Sequence, residues 1–158
     1  MRSNAIKIYH ACTALDFVAA RSLFQEYANW LNIDLSFQGF ADELTNLPGP
    51  YVPPHGRLFL ASFNNVTAGC VALRPLEKSV CEMKRLYVRP AFRHRGLGKM
   101  LAERIVTEAK LIGYSCMRLD TLSSMLPAIR LYEALGFSCI PAYYKTPLPD
   151  TIFMECQW

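Results

Sequence analysis

The chain has 158 residues, of which 52% are hydrophobic and 19% charged, with a formal net charge of +4. Those figures predict a single globular domain over residues 1–158 and exclude a disordered polyelectrolyte. No run approaches the ~18 apolar residues of a membrane span. The first residues lack the apolar core of a secretory leader, so the cytoplasm is the expected compartment and no membrane partner is expected.

Residues 5–11 alternate well enough for a first strand. Thr13 followed by Asp16 has the spacing of a helix cap, and Phe17, Ala20, Phe24, Tyr27 and Leu31 then form one apolar stripe. A shorter helix is predicted over 39–46, followed by a Pro- and Gly-rich loop to Gly56. Residues 57–63 and 66–74 read as a hairpin turning on Asn64-Asn65, and residues 80–88 as a further strand closed by Pro90. Leu97, Leu101, Ile105, Ala109 and Ile112 mark a helix that Gly113 ends. A strand at 116–121, a helix at 126–135 stopped by Gly136, and strands at 138–144 and 152–156 complete the chain. The strand–helix–strand unit at 80–121 requires parallel pairing, while the hairpins on either side require antiparallel pairing. The expected class is α+β, a mixed twisted sheet of about seven strands with about four helices distributed over both faces.

Six cysteines are widely and irregularly spaced, with no Cys-x-x-Cys, and the three histidines are equally scattered. Buried thiols are expected and no metal site. The positive charge is concentrated in Lys84, Arg85, Arg89, Arg93, Arg95, Lys99 and Arg104. Such a cluster is either a solvated face or an attractor of polyanions, whether nucleic acid or a phosphorylated cofactor.

Two motifs carry chemistry. Arg93-His94-Arg95-Gly96-Leu97-Gly98 lies between a strand and a helix. There the unpaired first amides of the helix, its positive dipole end and the glycines suit an anion. A third glycine at the Rossmann spacing and the Gly-Lys-Ser/Thr of a P-loop are both missing. The second motif is Leu131-Tyr132-Glu133-Ala134-Leu135-Gly136-Phe137, which by itself is an amphipathic helix with a glycine cap.

In this order, on this strand pattern, the two motifs resemble those of the GNAT superfamily of acyl-CoA N-acyltransferases. The first matches an Arg/Gln-x-x-Gly-x-Gly/Ala signature at Arg93, Gly96 and Gly98, and the second a Leu-Tyr-Glu-x-Leu-Gly-Phe signature. The resemblance implies a GNAT-like fold and an acetyl-CoA-dependent N-acetyltransferase that joins donor and amine directly in a ternary complex. It implies that Leu86, Tyr87 and Val88 pair with the pantetheine arm of acetyl-CoA, that the amides from His94 through Arg95, Gly96, Leu97 and Gly98 to Lys99 bind its pyrophosphate, and that Tyr132 protonates the departing thiolate. Many members carry Asn before the tyrosine helix; this chain has Met125.

An alkylamine titrates near ~10.4, so a base must take its proton at neutral pH. By resemblance two carboxylates qualify: Glu82, favoured, and Asp120, twelve residues before Tyr132. Each could equally be a partner of neighbouring cations. The expected acceptor is a small-molecule or peptide amine, met by aromatic residues among Trp30, Phe37, Phe40, Tyr51, Tyr143 and Tyr144, which could also be core. No nucleic-acid partner is expected, and a homodimer is allowed. The competing readings are a basic nucleic-acid-binding module and a CoA-binding sensor without turnover, the latter opposed by Tyr132.

Overall fold

The computed structural model describes residues 5–158. Seven strands form one sheet: β1 (Ile6–His10), β2 (Arg57–Phe63), β3 (Val66–Glu77), β4 (Val80–Val88), β5 (Cys116–Leu122), β6 (Ser138–Ile140) and β7 (Thr151–Gln157). Their spatial order is β1-β2-β3-β4-β5-β7-β6. Only β4 and β5 pair in parallel, and the other neighbours are antiparallel. Helices α1 (Ala14–Leu31) and α2 (Phe40–Thr45) cover one face, and α3 (Leu97–Ile112) and α4 (Leu126–Ala134) the other. The expected mixed sheet with helices on both faces is what the chain forms. No helix among the described residues is long and apolar enough to cross a membrane.

The local signals act as the sequence predicts. Thr13 Oγ1 accepts from the Asp16 amide at 3.1 Å while the Asp16 carboxylate accepts from the Thr13 amide, a reciprocal cap for α1. Asn64 and Asn65 both take positive φ, which the twist of a two-residue hairpin turn demands. Leu97, Leu101, Ile105 and Ala109 of α3 are fully buried against Val71, Leu73 and Met83 of the sheet. Phe24 and Leu23 of α1 pack on Leu58, Leu60 and Ala72 from the opposite side.

Four features depart from expectation. β3 continues past Arg74 through Pro75, which lies beyond the last residue paired with β2, Leu73, and at a shift in the β3–β4 register, the kind of place where a strand tolerates proline. The strand predicted over 138–144 ends at Ile140, because Pro141 cannot extend the ladder. Tyr143 and Tyr144 instead turn towards carboxylates of β4 and β5. Cys12 and Cys139 are exposed, while Cys70, Cys81, Cys116 and Cys156 are buried as expected. Finally, β4 carries a bulge. Its pairing with β3 passes from Ala72–Lys84 to Cys70–Tyr87, so Val71 of β3 faces both Arg85 and Leu86 of β4. Arg85 sits in the bulge at φ 60°, a left-handed conformation that costs a side chain-bearing residue about 1–2 kcal/mol.

Candidate active site

The parallel pairing of β4 and β5 covers only Val80–Cys116, Cys81–Met117 and Glu82–Arg118. Beyond Glu82 the strands separate, and a cavity of about 690 Å3 occupies the gap. Tyr27, Trp30 and Gln38 line it from the α1 side, Leu97, Gly98, Leu131 and Tyr132 from the α3–α4 side, and Leu86, Tyr87, Val88, Asp120 and Thr121 from the strands themselves. The opening therefore runs through the sheet and joins its two faces.

At one end lies the glycine loop. His94 and Gly96 both adopt left-handed conformations, at φ 63° and 81°. Alternation of this kind turns successive N–H groups to one side. The first intrahelical bond of α3 is from the Met100 amide to the Gly96 carbonyl, which leaves the amides of Leu97, Gly98 and Lys99 without helical partners. Arg93 is fixed by a bond from its Nε to the Val88 carbonyl at 2.9 Å and by stacking of its guanidinium on Trp30, 4.6 Å from the ring centre. This donor set suits a diphosphate. Of the ten residues expected to hold acetyl-CoA, Leu86, Tyr87, Val88, Arg93, His94, Gly96, Leu97 and Gly98 line the cavity. Arg95 and Lys99 do not: the Arg95 guanidinium stacks on Phe63 and Lys99 pairs with Glu103 one turn along α3. The Tyr87 ring packs on Tyr27 and Trp30.

Tyr132 of α4 lines the cavity and rests against Phe137. Burial first, then the nearby Tyr27 hydroxyl and Asp120 carboxylate, push its phenol well above its ordinary value. It therefore keeps its proton at neutral pH and can donate it. Met125 stands at the cavity wall ahead of α4, its sulfur accepting a long contact from Thr121 Oγ1 at 3.6 Å, in place of a polar side chain.

The two candidate bases differ in their surroundings. Glu82 is 1% exposed, and its side chain is engaged on every side. Arg74 Nε donates to it at 2.8 Å, the Tyr143 hydroxyl at 2.6 Å, and Lys84 Nζ lies 3.9 Å away. It is not among the residues that line the cavity. Asp120 does line it, and its carboxylate accepts one bond, from the Tyr144 hydroxyl at 2.9 Å. Sequence reasoning placed Tyr143 and Tyr144 only as aromatic lining; their positions show hydroxyls serving the two carboxylates. Of the other aromatic residues, Trp30 lines the cavity, Tyr51 is core, and Phe40 lies under the Arg85 guanidinium. Lys84, named from sequence only as part of the basic cluster, and Gln38, not named at all, also line the cavity. A signal for Lys84 existed: in Cys81-Glu82-Met83-Lys84 the charges alternate with core residues, which puts both charges on one buried face.

The wider basic cluster is largely neutralised. Arg85 pairs with Glu43, Arg89 with Glu26, Lys99 with Glu103 and Arg104 with Glu108.

The chain was compared with known proteins. The model of the acetyltransferase (GNAT) family matches residues 8–137. An uncharacterized N-acetyltransferase from Schizosaccharomyces pombe is 41% identical over 159 residues, covering 99% of this chain and 98% of that protein. The crystal structure of a GNAT-family acetyltransferase from Staphylococcus aureus superposes with a TM-score of 0.80 at 21% identity, covering 97% of this chain and 99% of the other. A Salmonella typhimurium structure that contains its cofactor acetyl-CoA has a TM-score of 0.69 at 23% identity, covering 98% of this chain and 94% of the other. This chain belongs to the acetyltransferase (GNAT) family of acyltransferases.

Proposed function

We propose that the protein transfers the acetyl group of acetyl-CoA directly to an amine bound in the same cavity, with Asp120 as proton acceptor and Tyr132 as proton donor. The observation that carries this reading is the cavity between the parted strands. It has free helix amides at one end, and a carboxylate and a protonated phenol both line it. Acetyl-CoA supplies an activated acyl group as a thioester. The amides of Leu97 to Lys99 bind its diphosphate, and the unpaired edge of β4 from Leu86 to Val88 aligns its amide-bearing arm.

An ammonium acceptor has two protons to lose before the product amide exists. Asp120 takes the first and passes it to solvent, which leaves a neutral amine. Once the C–N bond has formed, the second passes from the nitrogen to Asp120, which is ionised again. Tyr132 gives its own proton to the sulfur as the C–S bond breaks, and the tyrosinate left behind regains a proton from Asp120 through solvent, so that one proton is released per turnover. Glu82 has its lone pairs committed to Arg74 and Tyr143, so its role is to hold the floor of the acceptor side.

The test is a pair of variants. Asp120→Asn should lose turnover by ~100-fold or more at neutral pH. The loss should shrink in alkaline buffer, where neutral amine is supplied by solution. Glu82→Gln should instead be less stable, with its residual rate showing no alkaline recovery. Alkaline rescue of Glu82→Gln beside a fully active Asp120→Asn would reverse the assignment.

A further inference from the structure

The charged groups on the acceptor side of the sheet divide into pairs with a remainder. Arg74 is matched by Glu82, Arg85 by Glu43 in a two-pronged contact at 2.9 and 3.0 Å, and Arg118 by Glu155 and Glu77. Lys84 and Asp120 are left. They occupy equivalent places, each two residues beyond the last parallel pair, Glu82–Arg118, and both line the cavity.

Lys84 is 7% exposed, and its ammonium carries three donors. Its contacts are a 3.4 Å approach to Gln38 Oε1 and a 3.9 Å approach to Glu82 Oε1, an oxygen that already accepts from Arg74 at 2.8 Å. A buried ammonium with its donors so poorly met is costly, and an anion in the cavity would meet them. Burial, helped by the neighbouring Arg85 guanidinium, also holds the Lys84 pKa below its ordinary value. An incoming carboxylate would reverse that. Across the gap Asp120 holds the opposite charge, with Tyr144 as its one hydrogen-bond donor.

We infer that the acceptor is a small amino-carboxylate, an amino acid in the simplest case, whose carboxylate binds Lys84 and Gln38 while its amine faces Asp120. This inference rests on the reading that the acceptor amine enters at the β4–β5 gap. Arg85, tied to Glu43, cannot serve as the anion partner without losing a buried bond. Lys84 lines the cavity with a loosely matched charge, its nearest carboxylate oxygen being 3.9 Å away on Glu82. Tyr27, Trp30 and Leu35 form the remaining wall, which suits an apolar or aromatic side chain on the same molecule.

The experiment measures thiol release from acetyl-CoA with a panel of L-amino acids, their carboxamides and the matching alkylamines. The carboxamides have the less basic amine, hence more of it neutral at pH 7.5, so reactivity alone favours them. A preference for the free acid must come from binding. Expected is a kcat/KM about tenfold or more higher for an acid than for its carboxamide, the size that a charge-assisted hydrogen bond supplies. In Lys84→Met the ratio should fall towards one, and in Lys84→Arg it should be kept. If no member of the panel is acetylated, the acetyl-transfer reading itself fails. If amines are acetylated but carboxamides or alkylamines do as well as acids in the unaltered protein, this inference alone is overturned. It is likewise overturned if Lys84→Met slows acids and carboxamides by the same factor, which would make Lys84 part of the proton chemistry.

Discussion

A phenol held well above its ordinary pKa cannot be a base at neutral pH, but it can be an acid, and this restricts what Tyr132 can do. Its ring packs against Phe137, and it lines the same cavity as Asp120. Tyr132→Phe keeps the ring and removes only the transferable proton. Turnover should drop at least tenfold, a floor set below the ~100- to 10,000-fold that general acid–base groups typically contribute, while acetyl-CoA affinity measured by calorimetry changes little. Unchanged turnover would return Tyr132 to a packing role. Tyr132 and the glycines were legible in the sequence because each belongs to a short contiguous motif. The different surroundings of Glu82 and Asp120 were not. Those of Glu82 depend on a hydroxyl 61 positions away in the chain at Tyr143 and on an arginine across a strand pair, which no local pattern encodes.

Among the elements, α2 is too short to be stable by propensity, since isolated helices below ~12–15 residues are marginal in water. What holds it is Glu43, whose carboxylate takes both prongs of the Arg85 guanidinium inside the β4 bulge. The side chains are 3% and 12% exposed, so this is a buried ion pair. Such pairs contribute modest net stability when intact, but breaking one strands a charge at about 3–5 kcal/mol. Glu43→Ala should therefore lower the unfolding free energy by that order, bringing the urea midpoint down with it, and loosen α2 over the acceptor side, raising KM for the amine more than for acetyl-CoA. A midpoint unchanged within error would mean that the bulge is maintained by backbone pairing alone. The elements themselves were largely visible from periodicity and caps. The bulge was not, because Arg85 is a poor candidate for a left-handed residue and only its partner on α2 makes that conformation affordable. The over-long strand prediction at 138–144 has a related cause. Tyr143 and Tyr144 have high strand propensity, yet bonds to Glu82 and Asp120 take them out of the ladder.

At the scale of the whole molecule, the net charge of +4 overstates the free positive surface, because five of the seven clustered cations lie within 3.9 Å of a carboxylate oxygen, Lys84 at the longest distance. Stability should respond to pH through a different group. His10, on edge strand β1, leans on the Phe59 ring, and its Nε2 is buried with no hydrogen-bond partner among the described residues. Desolvation, followed by the Arg57 charge, holds its pKa below the ordinary 6.5, with Glu108 opposing and Arg104 reinforcing the shift. The folded chain thus binds fewer protons here than the unfolded chain once the pH drops towards 6.5. The stabilisation is fully present above that value and is lost as the pH falls towards the depressed folded pKa. Asp16 and Glu155 are held below their ordinary 3.8 and 4.5, so their contributions are present above those values and disappear only in more acidic solution. The interval from about pH 6.5 down to about pH 5 therefore isolates His10. Urea unfolding across that interval should show the protein losing stability, while His10→Gln, which cannot titrate, should give a flatter profile. Parallel profiles for the two proteins would mean that the imidazole finds a proton acceptor in the folded state and that its burial exerts no pH control.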